Sequence, residues 1–458
     1  MTLLVLEVAQ IIPYTGSDSV AIPLTFFDLP WLLVHPFKQV FFYRHTASTR
    51  EHFHSFILPK LKSSLSLVLS SYLPLSGCII WNPNELKPSI VVSQNDAVLV
   101  TIAETDSDFS HLSGYGQRPA SELHSLTPKL PFSDDSAAVF SLQITLFPNQ
   151  GFSIGFAAHH AVLDGKTASM FIKDWAHSCK QQHIENNTNI FSLPPPSLDR
   201  SSLLNDVTAG IDEQMIEIVR SHREDKSRSL NRNIAGEIGD DDVVLATLVL
   251  SGDDVERLRE RCRRRSRDDD LHLSAFVIAY AYAWICFVKA RGGNGERLVS
   301  LLVGADFRNR LDPPLPANYF GNCLYSVGCY KRKAADFADG EKGFVTAVEI
   351  ISDLVKSLSS PSPGMMIETI AQGYAIGFDS IGESSQVGTV AMSNKFGVYE
   401  SDFGWGRPVK VDFVSIRGEG IAMAETRDQS GGAEIGICMN KTDFHLVFSF
   451  FNNGLQQN

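Results

Sequence analysis

The sequence predicts an α/β chain of two domains, each built on a mixed, largely antiparallel sheet flanked by helices. Three observations lead there. Strand-like and helix-like runs follow one another irregularly, without the strict β-α-β order of a doubly wound sheet. Neighbouring strands are joined by turns too short for a parallel crossover. A polar, proline-broken zone at mid-chain separates halves of nearly equal length.

The elements follow in order. "MTLLVLEVAQIIPY" carries Glu7 and no basic leader, so it predicts a first strand and not a secretion signal. "VFSLQITLF" and "GFSIGFAAH" flank "PNQG" and predict a hairpin whose second strand ends at His159 and His160. "GKTASMFIKDWAHSCK" continues with apolar residues at helical spacing. The stretch 181–202, with Pro194, Pro195 and Pro196, and the polar stretch 223–242 read as exposed connections. They divide the chain into a first domain at 1–205, a crossover at 206–225 and a second domain at 226–458.

Beyond the crossover "VVLATLVLS" predicts a strand, and "GDDVERLRERCRRRSR" a helix with acids first and bases last, which suits the helix dipole. "LHLSAFVIAYAYAWICFVKAR" predicts a buried helix and "ERLVSLLVGADFR" a strand. "KVDFVSIR", "IAMAETR", "AEIGICMN" and "FHLVFSFF" predict successive antiparallel strands.

Composition excludes several functions. With 44% hydrophobic and 20% charged residues the chain is of the soluble globular class. A net charge of −12 and the lack of any basic, aromatic-interleaved stretch exclude a general nucleic-acid binder. An anionic substrate would need a basic pocket set against that field. The longest nearly apolar run, Ala275–Val288, is too short to span a bilayer, so no membrane partner is expected. Seven scattered cysteines without CxxC spacing predict free thiols and a cytosolic address. His52, His54, His177 and His183 form no ligand motif, so no metal is expected. Nothing requires more than a monomer.

The chemistry concentrates in "HHAVLDG", residues 159–165. Neighbouring side chains on a strand point to opposite faces, so one of the two histidines can enter a cleft. Asp164, past a turn, can reach back to orient an imidazole or brace the loop, and Gly165 tolerates backbone geometry closed to other residues. A positioned histidine base contributes about 10²–10⁴ in rate. The same pattern also fits a tight turn whose histidines satisfy backbone groups. "VYESDFGWGRP" sets Asp402 among aromatics and glycines, which suits a buried, paired carboxylate that fixes a loop. Arg308 and Arg310 lie in "DFRNRLDPPLPANYFGNC".

HHAVLDG and DFGWG, in this order and far apart, together with "NYFGNC" (Asn318–Cys323), resemble the signatures of the BAHD family of plant acyl-CoA-dependent acyltransferases. The likeness is to the branch that malonylates anthocyanins and other flavonoid or phenolic glucosides. "IPLTFFDLPWL", "LPKLKSSLSLVLSSYLPLSG" and "AMAETRDQSGGAEIGICM" are similar to segments of that branch, so the resemblance covers nearly the whole chain.

The resemblance implies two domains like chloramphenicol acetyltransferase, with a channel between them. It implies that His160 is the general base, that His159 is its non-catalytic neighbour, and that transfer is direct, with no acyl-enzyme. Cys323 as a nucleophile is the covalent alternative. Asp164 is implied to be structural and held by an arginine, Arg308 first. Asp402 is implied to be a second supporting carboxylate, paired with Arg310 or Arg308. Backbone N–H groups or Trp405 would receive the oxyanion. For CoA the candidates are His272, Ser274 and Arg265, with Arg263 and Arg264 in the same basic run. Lys166 and Arg407 are candidates for a malonyl carboxylate. The co-substrate is an acyl-CoA, malonyl-CoA favoured, with no permanently bound cofactor and a small glycoside as acceptor. Acetyl- or hydroxycinnamoyl-CoA, or a relative that binds CoA esters without turnover, are the alternatives. "AMSNKF" (Ala391–Phe396) differs from the serine-proline run associated with malonyl users.

Overall fold

The computed structural model describes residues 2–456 apart from 16–18, 33, 182–193, 205, 222–228, 231–241, 267, 269, 360–372, 375–376 and 378–379. Three sheets organise the described residues. The first runs Leu4–Ile11, Val98–Glu104, Phe140–Phe147, Gly151–Ala158, Phe37–Arg44 and Lys410–Phe413. The second runs Leu324–Lys333, Leu298–Asp306, Gln386–Ala391, Gly420–Glu425, Ala433–Asn440, Val243–Leu250 and Arg118–Pro119. A small third sheet joins Val20–Pro23, Ser89–Val92, Cys78–Ile80 and Ser136–Ala138.

Pairing is mixed and mostly antiparallel. Val98–Glu104 is parallel to Phe140–Phe147, and Gln386–Ala391 is parallel to both of its neighbours. The expected hairpin forms with Gly151 opposite Phe147 and Ala158 opposite Phe140. All eight residues of each of its strands are buried, as in a strand covered on both faces.

Two strands cross between the halves. Lys410–Phe413 leaves the second half of the chain and pairs with Phe37–Arg44 in the first sheet. Arg118–Pro119 leaves the first half and pairs with Val243–Leu250 in the second. "KVDFVSIR" therefore does not continue into "IAMAETR" as a neighbouring strand, contrary to the sequence expectation. The sheets accordingly do not divide at the expected 206–225 crossover. That segment carries the helix Asp206–Ser221, and its last residues lie outside the described set.

A second expectation fails at the C-terminus. "FHLVFSFF" belongs to a helix, Lys441–Gln456, and not to a strand. Its buried residues are Phe444, Val447 and Phe451, spaced three and four apart, so the helical period overrides the β propensity of phenylalanine. That face packs on the helix Ala275–Arg291, in which every side chain from Val277 to Val288 is buried. No helix of the described residues is long and apolar enough to cross a membrane.

The helix Gly165–Gln181 seats the site. It buries Ala168, Phe171, Ile172, Trp175, Ala176 and Cys179, a stripe at helical spacing. Trp175 anchors it by donating Nε1–H to the Leu61 carbonyl at 3.2 Å and to Ser64 Oγ at 3.1 Å.

Candidate active site

Between the end of Gly151–Ala158 and the start of Gly165–Gln181 the chain turns, and the Asp164 carboxylate serves both sides of the turn. Its Oδ1 accepts the Thr167 N–H at 2.9 Å, capping the helix. Its Oδ2 accepts Arg308 Nη1 at 2.8 Å, with both side chains fully buried, and the Cys323 N–H at 3.3 Å. Arg308 is thus the arginine that pairs with Asp164. It also reaches Asp306 Oδ1 at 2.9 Å, Thr167 Oγ1 at 3.1 Å and the Gly321 carbonyl at 2.9 Å. Burial works against its charge, but Asp164 and Asp306 outweigh that and hold the guanidinium protonated more firmly than a free arginine. Arg310 pairs with neither carboxylate of interest. It donates to the carbonyls of Leu358 and Asp306.

Gly165 makes room in a different way than the sequence suggested. Its φ is not left-handed. A Cβ there would instead stand 2.6 Å from Met392 Sδ and 3.0 Å from the Phe396 ring, so the glycine lets the 391–396 segment approach.

The two histidines lie just past the last strand residue, Ala158, and separate in the turn. His159 is 1% exposed, and its Nδ1 accepts the Ala161 N–H at 3.3 Å. His160 is partly exposed and lines a cavity of about 1230 Å³. Its ring stacks on Trp31, centroids 4.2 Å apart and planes 10° from parallel, with Phe37 meeting it edge-on at 6.1 Å. The His160 carbonyl accepts Asn322 Nδ2–H at 2.8 Å.

Both halves of the chain wall this cavity. Trp31, Phe37 and His160 come from the first half, and Phe276, Leu302, Thr389 and Phe396 from the second. Its charged lining among the described residues is Lys166, Lys173, Arg310, Lys395 and Arg417 against one carboxylate, Asp306. A chain of net charge −12 has therefore gathered cations where an anion would enter. Lys166 lies here, 2.8 Å from Asp306. His272 and Ser274 lie here too. The Ser274 hydroxyl accepts the Val277 N–H at 3.4 Å as an N-cap, and the His272 N–H donates to Ser352 Oγ at 2.8 Å.

Other expected residues lie elsewhere. Arg265 is on an outer helix face, 3.4 Å from Glu341, and Arg263 pairs with Glu260. Their run is a solvated face laced with ion pairs, and it does not line the cavity. Arg407 is exposed and away from the cavity. Trp405 packs edge-on against Phe152 at 6.0 Å, also off the cavity, so it is not an oxyanion donor.

Asp402 is structural but not arginine-paired. Its Oδ2 takes Lys180 Nζ at 2.6 Å, while Oδ1 accepts the N–H groups of Gly404 at 2.9 Å and Gly406 at 3.0 Å. Those glycines have φ of 103° and 98°, which other residues adopt only under strain. Burial tends to raise the Asp402 carboxyl, but Lys180 and the two N–H donors hold it below the usual carboxylate range. The carboxylate thus closes its own loop and clips it to the helix that follows HHAVLDG.

Cys323 is fully buried, its thiol pushed well up by burial, and it does not line the cavity. That removes the covalent alternative, which needs an accessible thiolate. Among the described residues no three His, Cys, Asp or Glu side chains cluster as metal ligands would.

Sequence reasoning missed the residues around the imidazole: Trp31, Asp28, Arg200 and the side chain of Asn322. Asp28 is fully buried. Its Oδ1 accepts the Asn322 side-chain amide at 3.1 Å, and its Oδ2 accepts Arg200 Nη1 at 2.6 Å and Thr25 Oγ1–H at 2.9 Å. The available signal was "TFFDLPW", an acid amid apolar residues just before a proline-started turn.

A family model described as the Transferase family matches residues 3–451. The chain is similar to phenolic glucoside malonyltransferase 2 of Arabidopsis thaliana, at 64% identity over 99% of this chain and 100% of that one. It is 44% identical to the agmatine coumaroyltransferase of the same plant, over 98% and 99% of the two chains. Among solved structures, vinorine synthase superposes with a TM-score of 0.68 at 16% identity, covering 98% of each chain, a likeness of fold.

Proposed function

This chain belongs to the BAHD family of acyltransferases, and from that premise we propose that it moves a malonyl group from malonyl-CoA to a sugar hydroxyl of a phenolic or flavonoid glucoside. The observation that carries the reading is the place of His160, at the wall of a cation-lined cavity reached by both halves of the chain.

The imidazole removes the proton of the acceptor hydroxyl as its oxygen attacks the thioester carbonyl. The tetrahedral intermediate collapses, the C–S bond breaks, and the CoA thiolate takes a proton back from the imidazolium. His160 contributes general-base catalysis worth about 3–5 kcal/mol. His272 and Ser274 mark the wall along which CoA would lie, and Arg310 supplies a nearby cation for its phosphates. Of the two cations considered for the malonyl carboxylate, Lys166 lines the cavity and Arg407 does not. Lys166 would share its charge between Asp306 and the substrate.

One chain supplies both walls, so a monomer suffices. The seven free cysteines support a cytosolic setting. A second acyl donor has specific support. A relative at 44% identity is named a coumaroyltransferase, and Phe276 and Phe396 offer apolar rings in the cavity.

The test mixes purified protein with a phenolic glucoside and either malonyl-CoA or coumaroyl-CoA, following free thiol release and the mass of the product. Malonyl glucoside formed with malonyl-CoA, and lost in H160A, is the expected result. Turnover with coumaroyl-CoA alone would replace the donor. Turnover undiminished in H160A would remove the mechanism.

A further inference from the structure

The Trp31 indole covers one face of the His160 ring nearly in parallel, at 4.2 Å. We propose that Trp31 is the positioning residue of the reacting imidazole, its flat face setting the plane in which His160 meets the acceptor hydroxyl. This rests on His160 being the base. A histidine ring torsion is broad, so a ring at a strand end needs neighbours to define its plane. Phe37 limits the edge at 6.1 Å and Trp31 limits the face.

Both rings are held from one residue. The Asp28 carbonyl accepts the Trp31 N–H at 3.1 Å within the short turn Leu29–Trp31. The Asp28 carboxylate accepts the Asn322 side-chain amide at 3.1 Å, and that same amide donates to the His160 carbonyl at 2.8 Å. Arg200, almost wholly buried, balances the carboxylate's charge at 2.6 Å. The indole's carrier and the imidazole's backbone therefore cannot shift independently.

Trp31 Nε1 makes no hydrogen bond among the described residues. What the site uses is the aromatic plane. The same π face also favours the imidazolium that forms as the proton moves.

The test compares W31L and W31F with wild type in the malonyl transfer assay, alongside proton–carbon NMR of histidine-labelled enzyme. The His160 Cε1–H resonance is assigned by its loss in H160A. A stacked indole displaces that resonance upfield. In W31L the resonance is expected to return toward the free-histidine position, and kcat to fall roughly ten- to a hundredfold, with KM for both substrates changed only a few-fold. W31F, which keeps a flat face, is expected to recover most of kcat and of the upfield displacement. A W31L enzyme with wild-type kcat, or with an unmoved resonance, overturns the proposal. Should W31L fail to fold, W31F decides alone, since a loss as deep as that of H160A would show that the plane is not what matters. Failure of the underlying reading looks different: H160A would then turn over normally, whatever the tryptophan variants do.

Discussion

Arg118 and Asp412 form a bidentate ion pair, at 2.5 and 3.1 Å, although each sits in the sheet built mainly from the other's half of the chain. Each side chain is 1% exposed. Burial would raise the Asp412 carboxyl, but Arg118 first and Lys410 second hold it below the usual carboxylate range. Lys410 goes on to Glu434 at 3.1 Å, and Glu434 accepts the hydroxyls of Tyr399 at 2.7 Å and Tyr115 at 2.9 Å. The exchanged strands are thus locked to each other by charge as well as by backbone pairing. Removing one partner leaves the other buried and unpaired, so R118M or D412A should lose about 3–5 kcal/mol of unfolding free energy. The double change R118M/D412A should lose less than the sum of the single ones. Urea unfolding of the four proteins reads the difference directly. Additive losses would mean that the pair is not the lock.

HHAVLDG should give two unlike phenotypes from its two ends. H160A removes a partly exposed ring and should leave the unfolding midpoint near wild type while kcat drops by about 10²–10⁴. D164A strands Arg308 in the interior and uncaps a helix, so about 3–5 kcal/mol of stability should go with it. D164N keeps an acceptor for the Thr167 N–H and should fall between the two. Thermal unfolding beside kcat for the three variants makes the comparison. A D164A protein as stable as wild type would contradict the pairing with Arg308.

The DFGWG loop should behave as scaffold. Asp402 holds Gly404, Gly406 and Lys180 and does not line the cavity. D402A should lower stability by about 1–3 kcal/mol, since two loop N–H groups lose an ionised acceptor. K180A removes only a half-exposed partner and should cost less than about 1 kcal/mol. KM for acyl-CoA and for the glucoside should hold in both variants. A large rise in either KM would place the loop at the substrate after all.

Where a single side chain met a single element, the sequence could be read. The paired histidines announced one buried ring and one that reaches a cleft, although both fall in the turn just past the strand, and the helical stripe after Gly165 named its own buried face. What escaped were relationships between distant segments. Nothing local to "KVDF" says that it pairs with Phe37–Arg44, because a strand's pattern fixes its faces but not its neighbour. Lys180 stands 222 residues from Asp402, and the sequence offered two nearer-looking arginines instead. Trp31 and Asp28 were hidden in an apolar run whose ordinary reading is core, and only the fold brings them against His160. The terminal phenylalanines misled because their β propensity outweighed the three-and-four spacing that the packing actually uses.

Acid should weaken the fold through His124. Burial first, then the charges of Lys38 and Arg417, lower this histidine from its ordinary 6.5 to about 4. Its Nε2 is buried with no hydrogen-bond partner among the described residues, so no acceptor is at hand to favour a second proton. The folded value lies below the unfolded one, so on acidification the unfolded chain takes up the proton first. Stability is therefore full above about pH 6.5 and declines as pH falls toward 4, by roughly 3 kcal/mol at most. Below that both states are protonated and this contribution stops changing. H124Q cannot titrate, so its stability measured from pH 7 to pH 4 should decline less than wild type by that amount. The smallest of these three contributors lies near the site: Arg417 lines the cavity, 3.0 Å from His35 Nε2, and adds to the charge that disfavours protonating His124. R417Q should therefore narrow the acid-sensitive window from its lower edge, by letting His124 titrate closer to its ordinary value. Parallel urea titrations of wild type, H124Q and R417Q at several pH values test both statements, and identical pH slopes in all three would defeat the assignment.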